Sequence, residues 1–449
     1  MDGLLALIIY LLTGLAGFAR PLSVIGFGEY REWHPGEKLK ILLVGYNGAR
    51  NTGADVRVVA ITRQLKELFD PDRIEITVMA LDRENLRGYF DPDVKLYKFT
   101  TAFPLSLYRA CSASHIALIA EGSTLKSTFA DALTLYFCEA SGIMRSQKKP
   151  CIAYGTEAGQ MSLFLRKNVK ALCGSTYFIA RTQASLDVLR SLGLRGHVGT
   201  DSAWLYDGAV SGQEAQNWLL SHGWDGKKPL VGAAVIDPFC WPVRSSLAKW
   251  VRSRITGRTE DCYDKWYFFS RSPERSAAYA RYLAGFASAV NRYCREKDAF
   301  VVVIGMEKLD DGACRRLEKK LKVPCTRLVS ANHRAALMTG VLRQLSLLAT
   351  SRYHAAVLSM DRAIPIAAVS MDERLDSLME ECSLAGRYLL HTEDADLGRK
   401  LYVVMKEADA DREAIREAIL RQTSLYREKL DKMGQFLKYY VKERFGECP

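Results

Sequence analysis

From Lys38 onward the chain alternates between short apolar runs of strand length and longer segments of helical periodicity, and this alternation leaves few folds open. Lys40–Gly45 (KILLVG) reads as a strand that ends in a Gly/Asn turn, and a helical stretch follows from Ala54 to Leu68. Ile74–Met79, Ile116–Ala120, Cys151–Tyr154 and Tyr177–Ala180 read as further strands. Thr124–Ser146 reads as one long helix and Ser185–Leu192 as an amphipathic one. Strands that are apolar throughout and separated by helices imply a mostly parallel sheet covered on both faces. Asp201–Gly226 carries turn chemistry at Asp207-Gly208 and Trp224-Asp225-Gly226 and reads as a passage between domains. The pattern then restarts, with strands at Leu230–Val235, Phe300–Gly305, Leu345–Ala349 and Ile364–Val369 and a helix at Ala277–Arg295. After Asp394 the sequence is almost entirely helical.

The predicted class is therefore α/β, with two Rossmann-like domains over 38–215 and 225–400 and C-terminal helices over 401–449. An N-terminal apolar helix and linker occupy 1–37. Two such halves with a helical C-terminus resemble the glycosyltransferase-B-like architecture. Ligands in such sheets bind beyond the carboxyl ends of the strands. Residues 253–275 break the alternation and are expected to form a loop or insertion near the cleft.

The 11 cysteines are scattered, none in a Cys-x-x-Cys pair, which argues against a disulfide framework and a structural zinc site and fits free thiols in a reducing compartment. The formal net charge of +12 is spread along the chain, with local clusters at Arg244–Arg258 and Arg315–Lys322. It has no basic–aromatic platform, so a nucleic-acid partner is not expected. Residues 3–19 (GLLALIIYLLTGLAGFA) carry no charge. As a helix they span about 25 Å, short of a hydrocarbon core of about 30 Å. Arg20, Arg31, Lys38 and Lys40 follow the run, and the positive-inside rule then places the body of the protein in the cytoplasm, with this segment anchored in or lying on the inner membrane surface. Burial against the body is the other reading. Gly17-Phe18-Ala19 resembles a cleavage site, which leaves secretion open.

Four strand ends carry chemistry. Gly45–Asp55 (GYNGARNTGAD) joins a strand to a helix, and Asn51, Gly53 and Asp55 are expected to line the cleft. Glu121 and Ser123 follow the strand Ile116–Ala120 and are expected to face it too, although Ser123 or Thr124 would also suit a helix cap. Arg181 ends a third strand, where a guanidinium can fork onto a carboxylate or phosphate, with Thr182 placed to cap the next helix. Ser351-Arg352-Tyr353-His354 supplies a fixed cation and a group that titrates near neutral pH. Arg374 follows the next strand and is expected on the same side.

In order and spacing these sites resemble the polysaccharide pyruvyl transferase family over about residues 40–400. Asn51-Thr52-Gly53-Ala54-Asp55 resembles the family's Asn-x-Gly-Asp, with Ala54 as an extra residue. Arg181-Thr182-Gln183-Ala184-Ser185 resembles Arg-Asp-x-x-Ser, with Thr182 for Asp, and Asp201-Ser202-Ala203 matches Asp-x-Ala. Thr350-Ser351-Arg352-Tyr353-His354 is similar to Ser-x-Arg-x-His, and Ala363-Ile364-Pro365 to Gly-x-Pro. Met371-Asp372-Glu373-Arg374 stands where the family has Tyr-Asp-x-Lys, and Glu121-Gly122-Ser123 where it has three glycines.

The resemblance implies transfer of a pyruvyl group from phosphoenolpyruvate to two hydroxyls of a glycan or glycolipid, which forms a ketal and releases phosphate. It implies no metal or cofactor beyond that donor. His354 is then the positioned acid, with Arg352 in the catalytic pair, and Arg181, Arg374 and Ser351 hold the donor. Two alternatives remain at this point. One is a nucleotide-sugar glycosyltransferase that uses Glu307 or Asp372 for the ribose, and the other is a non-catalytic relative.

Overall fold

A computed structural model of the protein describes residues 2–26, 29–99, 103–256, 262–264 and 267–447. The first half builds β1 (Leu39–Val44), β2 (Ile74–Ala80), β3 (Lys95–Lys98), β4 (Ile116–Ile119), β5 (Cys151–Thr156), β6 (Tyr177–Ala180) and β7 (Arg195–Val198). They form a seven-stranded sheet in the order β3-β2-β1-β4-β5-β6-β7. All its pairs are parallel. Every residue of β4 and β5 is buried, as expected of a sheet covered on both faces.

The second half builds β8 (Leu230–Ala234), β9 (Val243–Ser245), β10 (Cys262–Asp264), β11 (Tyr267–Phe269), β12 (Phe300–Gly305), β13 (Cys325–Val329), β14 (Leu347–Thr350), β15 (Ile366–Ser370) and β16 (Leu389–His391). Six of these make a second parallel sheet in the order β13-β12-β8-β14-β15-β16. In each sheet the winding reverses beside its first strand, between β1 and β4 and between β8 and β14. A crevice opens at such a switch point, because the two connections leave toward opposite faces.

The two crevices face one another. Thr52 N–H donates to Met306 O at 2.8 Å, Lys308 N–H donates to Arg50 O at 2.9 Å, and Asn51 and Glu307 form an isolated bridge. The turn after β1 therefore touches the end of β12. The last helix, Arg412–Phe445, crosses back onto the first half, where its Leu430 carbonyl accepts from Gln64 Nε2 at 3.2 Å.

The N-terminal apolar run is a helix over Asp2–Ala16. It packs Ala6, Ile9, Thr13 and Ala16 onto the helices Asp131–Ser146 and Phe103–Ser112. Gly142 permits the approach, since a Cβ there would lie 3.1 Å from Thr13 Oγ1 and 2.9 Å from Leu172 Cδ2. Ile9 is wholly buried, and such burial contributes about 1.5–3 kcal/mol. Leu4, Leu7, Leu11 and Leu15 on the other face are exposed. Among the described residues no helix is long and apolar enough to cross a membrane.

Two expectations need correction. The segment 124–146 is not one helix, because regular helix begins only at Asp131. Residues 125–127 instead hydrogen-bond along the segment after β5: Leu125 N–H to Glu157 O, Gly159 N–H to Leu125 O and Ser127 N–H to Gln160 O. That helix has no side-chain cap at Ala130, so neither Ser123 nor Thr124 caps it. The irregular stretch at 253–275 is in fact shifted. The interruption is built by β9, the helix Leu247–Thr256 and the hairpin of β10 and β11, which form a three-stranded antiparallel sheet. From Pro273 the chain is already in the helix Pro273–Glu296, capped by Ser272. Part of the expected insertion, Arg258 and Cys448 lie outside the described residues. Eight cysteines are free and buried, and Cys325 is free and half-buried.

Candidate active site

The cleft between the two switch points is lined by Tyr46 and Asn51 after β1, Glu121 and Ser123 after β4, Glu307 after β12, Ser351–His354 after β14 and Arg374 after β15. Phe129, Trp241 and Tyr263 complete one wall. Each polar group follows the end of a strand. Asn51 caps the helix Thr52–Leu68 by accepting from Ala54 N–H at 3.2 Å. Asp372 caps the helix Glu373–Glu381 by accepting from Arg374 N–H at 3.1 Å.

Arg352 and Arg374 are the cations of the cleft wall. Arg352 Nε lies 3.2 Å from Asp310 Oδ2, and its Nη2 lies 3.4 Å from Glu307 Oε2. Burial pushes the Asp310 carboxyl up to about 7 against the pull of Arg352. Burial also raises Glu307, again opposed by Arg352. Arg374 forks onto its own neighbour, with Nε 2.9 and 3.0 Å from the two Asp372 oxygens, and its Nη1 donates to Ser123 Oγ at 3.1 Å. Burial works against the charge on Asp372, but Arg374 and Lys126 overcome it and hold that carboxyl well below its usual range. Glu307 and Asp372, the two carboxylates expected to suit a ribose, both pair with arginines of the wall.

His354 rests on Gly53. A Cβ at Gly53 would stand 2.0 Å from His354 Nδ1, so only glycine leaves room for the ring. His354 Nε2 lies 3.4 Å from Asp201 Oδ2, an ion-pair approach without the alignment of a hydrogen bond. Burial lowers the histidine below its usual range, and Asp201 only partly offsets this. The lowered imidazole favours its neutral form.

Behind the cleft wall runs a buried ladder of charges. Arg57, wholly buried, pairs with Asp201 Oδ1 and donates through Nη2 to Tyr154 O and Gly155 O at 3.1 Å each. Arg181 bridges Asp201 at 2.8 Å and Glu157 at 3.0 Å. Lys126 joins Glu157 at 2.8 Å to Glu373 at 3.1 Å. Burial would keep Asp201 protonated, but Arg181 and Arg57 hold it well below its usual range.

Of the residues expected in the cleft, Asn51, Glu121, Ser123, Ser351, Arg352, His354 and Arg374 are brought together there. Three are not on its wall. Gly53 lies under the His354 ring. Asp55 is buried and accepts from Gly48 N–H at 3.2 Å, with burial raising its carboxyl to about 7. Arg181 is buried in the ladder, because Glu157 and Asp201 reach it from the ends of neighbouring loops. Thr182 caps the helix Gln183–Ser191 as expected. Sequence reasoning missed Arg57, Glu157, Lys126 and Asp310. A signal for the first was present in Asp55-Val56-Arg57-Val58, a cation set inside an apolar helix face.

Two parallel-sheet domains with facing switch points and a C-terminal helix that returns to the first domain define a GT-B-like α/β protein. Solved structures share this fold. A putative UDP-N-acetylglucosamine 2-epimerase from Listeria monocytogenes aligns with a TM-score of 0.54 at 13% identity, over 92% of this chain and 98% of its own. UDP-GlcNAc 2-epimerase from Neisseria meningitidis aligns at 0.51 and 10% identity, over 88% of this chain and 100% of its own. Anabaena HepE in complex with UDP-glucose aligns at 0.54 and 12% identity, over 90% and 100%. No curated protein sequence matches the chain. The family model for polysaccharide pyruvyl transferase matches residues 51–372, a span from the helix cap Asn51 to the helix cap Asp372. The protein belongs to the polysaccharide pyruvyl transferase family.

Proposed function

We propose that the protein moves a pyruvyl group from phosphoenolpyruvate to two hydroxyls of a cell-surface or exopolysaccharide precursor. The observation that carries this reading is the meeting of Arg352, Arg374 and His354 in one cleft, two cations beside a neutral imidazole. The donor is a small, highly charged anion, and the arginines suit its carboxylate and phosphate. In the first step a sugar oxygen bonds to the carbon that bears the phosphate ester. Its proton passes to His354 and from there to the methylene carbon, which becomes a methyl group. In the second step another hydroxyl oxygen attacks the same carbon, the C–O bond to phosphate breaks, and phosphate leaves with the hydroxyl proton. The arginines stabilise the charge that develops on the leaving group. Tyr46, Phe129, Trp241 and Tyr263 offer flat apolar surface for the acceptor sugar.

Asp310 beside Arg352 accommodates the donor by protonation. With Asp310 near neutrality, an entering anion shifts it to the protonated form and releases the positive charge of Arg352. We assign the protein to the cytoplasmic face of the membrane, held there by the helix Asp2–Ala16, whose Leu4, Leu7, Leu11 and Leu15 form an exposed stripe at helical spacing.

The test is phosphate release from phosphoenolpyruvate by the purified protein with membrane glycolipid extract as acceptor. Extract-dependent release that His354→Ala lacks is the expected result. A folded protein that releases no phosphate would contradict the assignment.

A further inference from the structure

The helix Leu247–Thr256 spans 10 residues and none of them is buried. Trp250 and Ser253 are half-buried on one side, and the rest of the helix surface is exposed. Leu247, Val251 and Ile255 recur every fourth residue and are 59%, 42% and 80% exposed, which makes one apolar stripe. Residues 244–256 (RSSLAKWVRSRIT) also carry Arg244, Lys249, Arg252 and Arg254 and no Asp or Glu. A two-fold contact between copies would set these four cations against themselves. An apolar stripe flanked only by cations is instead complementary to a bilayer with anionic headgroups.

The placement fits the same partner. β9 leads into this helix, and the small sheet it belongs to presents Tyr263 to the cleft, beside Trp241. On β11 the Tyr267 hydroxyl donates to Asp2 Oδ1 at 2.9 Å, at the start of the apolar N-terminal helix. The small sheet thus ties the start of the exposed apolar helix Asp2–Ala16 to the strand unit that carries the helix Leu247–Thr256, beside the cleft.

We propose that the helix Leu247–Thr256 is a second membrane contact, which seats the cleft mouth on an anionic bilayer. Leu247, Val251 and Ile255 enter the acyl boundary while Arg252 and Arg254, which flank the stripe, meet headgroup phosphates. The proposal builds on the membrane reading of Asp2–Ala16 but uses different residues, so the two are separable.

The experiment is flotation of the full chain with phosphatidylglycerol-containing vesicles and with pure phosphatidylcholine vesicles. Three proteins are compared: the wild type, Leu247→Glu/Val251→Glu/Ile255→Glu and Leu7→Glu/Leu11→Glu. All altered positions are exposed, and an unchanged melting temperature verifies the fold. The wild type is expected to float with anionic vesicles and far less with neutral ones, and the triple variant to lose about tenfold in partitioning. Loss only in the double variant would overturn the second contact and leave the N-terminal one standing. Loss only in the triple variant would uphold the second contact and remove the N-terminal one. A wild type that stays with neither vesicle, yet forms a dimer that the triple variant abolishes, would overturn the proposal in favour of a second copy.

Discussion

The ladder and the cleft wall contain the same residue types and differ in how fully each charge is matched. Arg57, Arg181 and Lys126 have side chains 0–4% exposed, with carboxylates or carbonyls at close range. Arg352 and Arg374 are 13% exposed and His354 is 15% exposed, at the surface of a cleft. Position at a strand end is common to Arg181, Arg352 and Arg374. Access to a ligand depends on the neighbouring loops, which bring Glu157 after β5 and Asp201 after β7 onto Arg181. The comparison separates charges matched inside the protein from charges that face a cleft, and on the proposed function the first are scaffold and the second carry the chemistry.

The largest effect should come from breaking the ladder. Arg57→Ala leaves Asp201 buried with one cation fewer, and loss of one partner of a buried pair costs about 3–5 kcal/mol. Chemical denaturation measures this, and a loss near zero would refute the scaffold role. On the wall, His354→Ala should lower kcat by about 10²–10⁴-fold with the melting temperature nearly kept, as for loss of a proton-transfer group. Gly53→Ala tests the same ring from below. Its Cβ would displace the imidazole, and a misplacement of about 1 Å costs about 100-fold. An unaffected Gly53→Ala enzyme would detach His354 from the chemistry. Arg374→Ala should mainly raise the KM for the donor, by about tenfold for one charge-assisted contact.

The smallest effect is a pH dependence with two signs. Asp310, raised by burial to about 7, is protonated below that pH and leaves Arg352 available to the anion. Donor affinity should therefore fall as pH rises through about 7, and Asp310→Asn should remove the dependence. His354, lowered by burial, stays neutral at pH 7, so kcat should fall only on acidification below the ordinary histidine range.

The fold was largely legible because hydrophobic periodicity is local. Tyr177–Ala180 and Phe300–Gly305 occur with the expected bounds. The segment 124–130 was not, since its backbone is held by the chain after β5, a partner more than 30 residues away. The site was legible where a residue's own strand end decides its position, as for Arg352, His354 and Arg374. It was not legible where the outcome depends on a distant carboxylate, as for Arg181 with Asp201 or Arg352 with Asp310. The altered family positions read the same way: Arg374 in place of Lys reaches Ser123, the residue in place of a glycine.

The most direct test of the central claim follows the carbon. With phosphoenolpyruvate labelled in its methylene carbon and a glycan acceptor, the label should appear in a ketal methyl group on the glycan by NMR, and His354→Ala should leave it in the donor. Label that never reaches the acceptor while a nucleotide sugar is consumed would contradict the account.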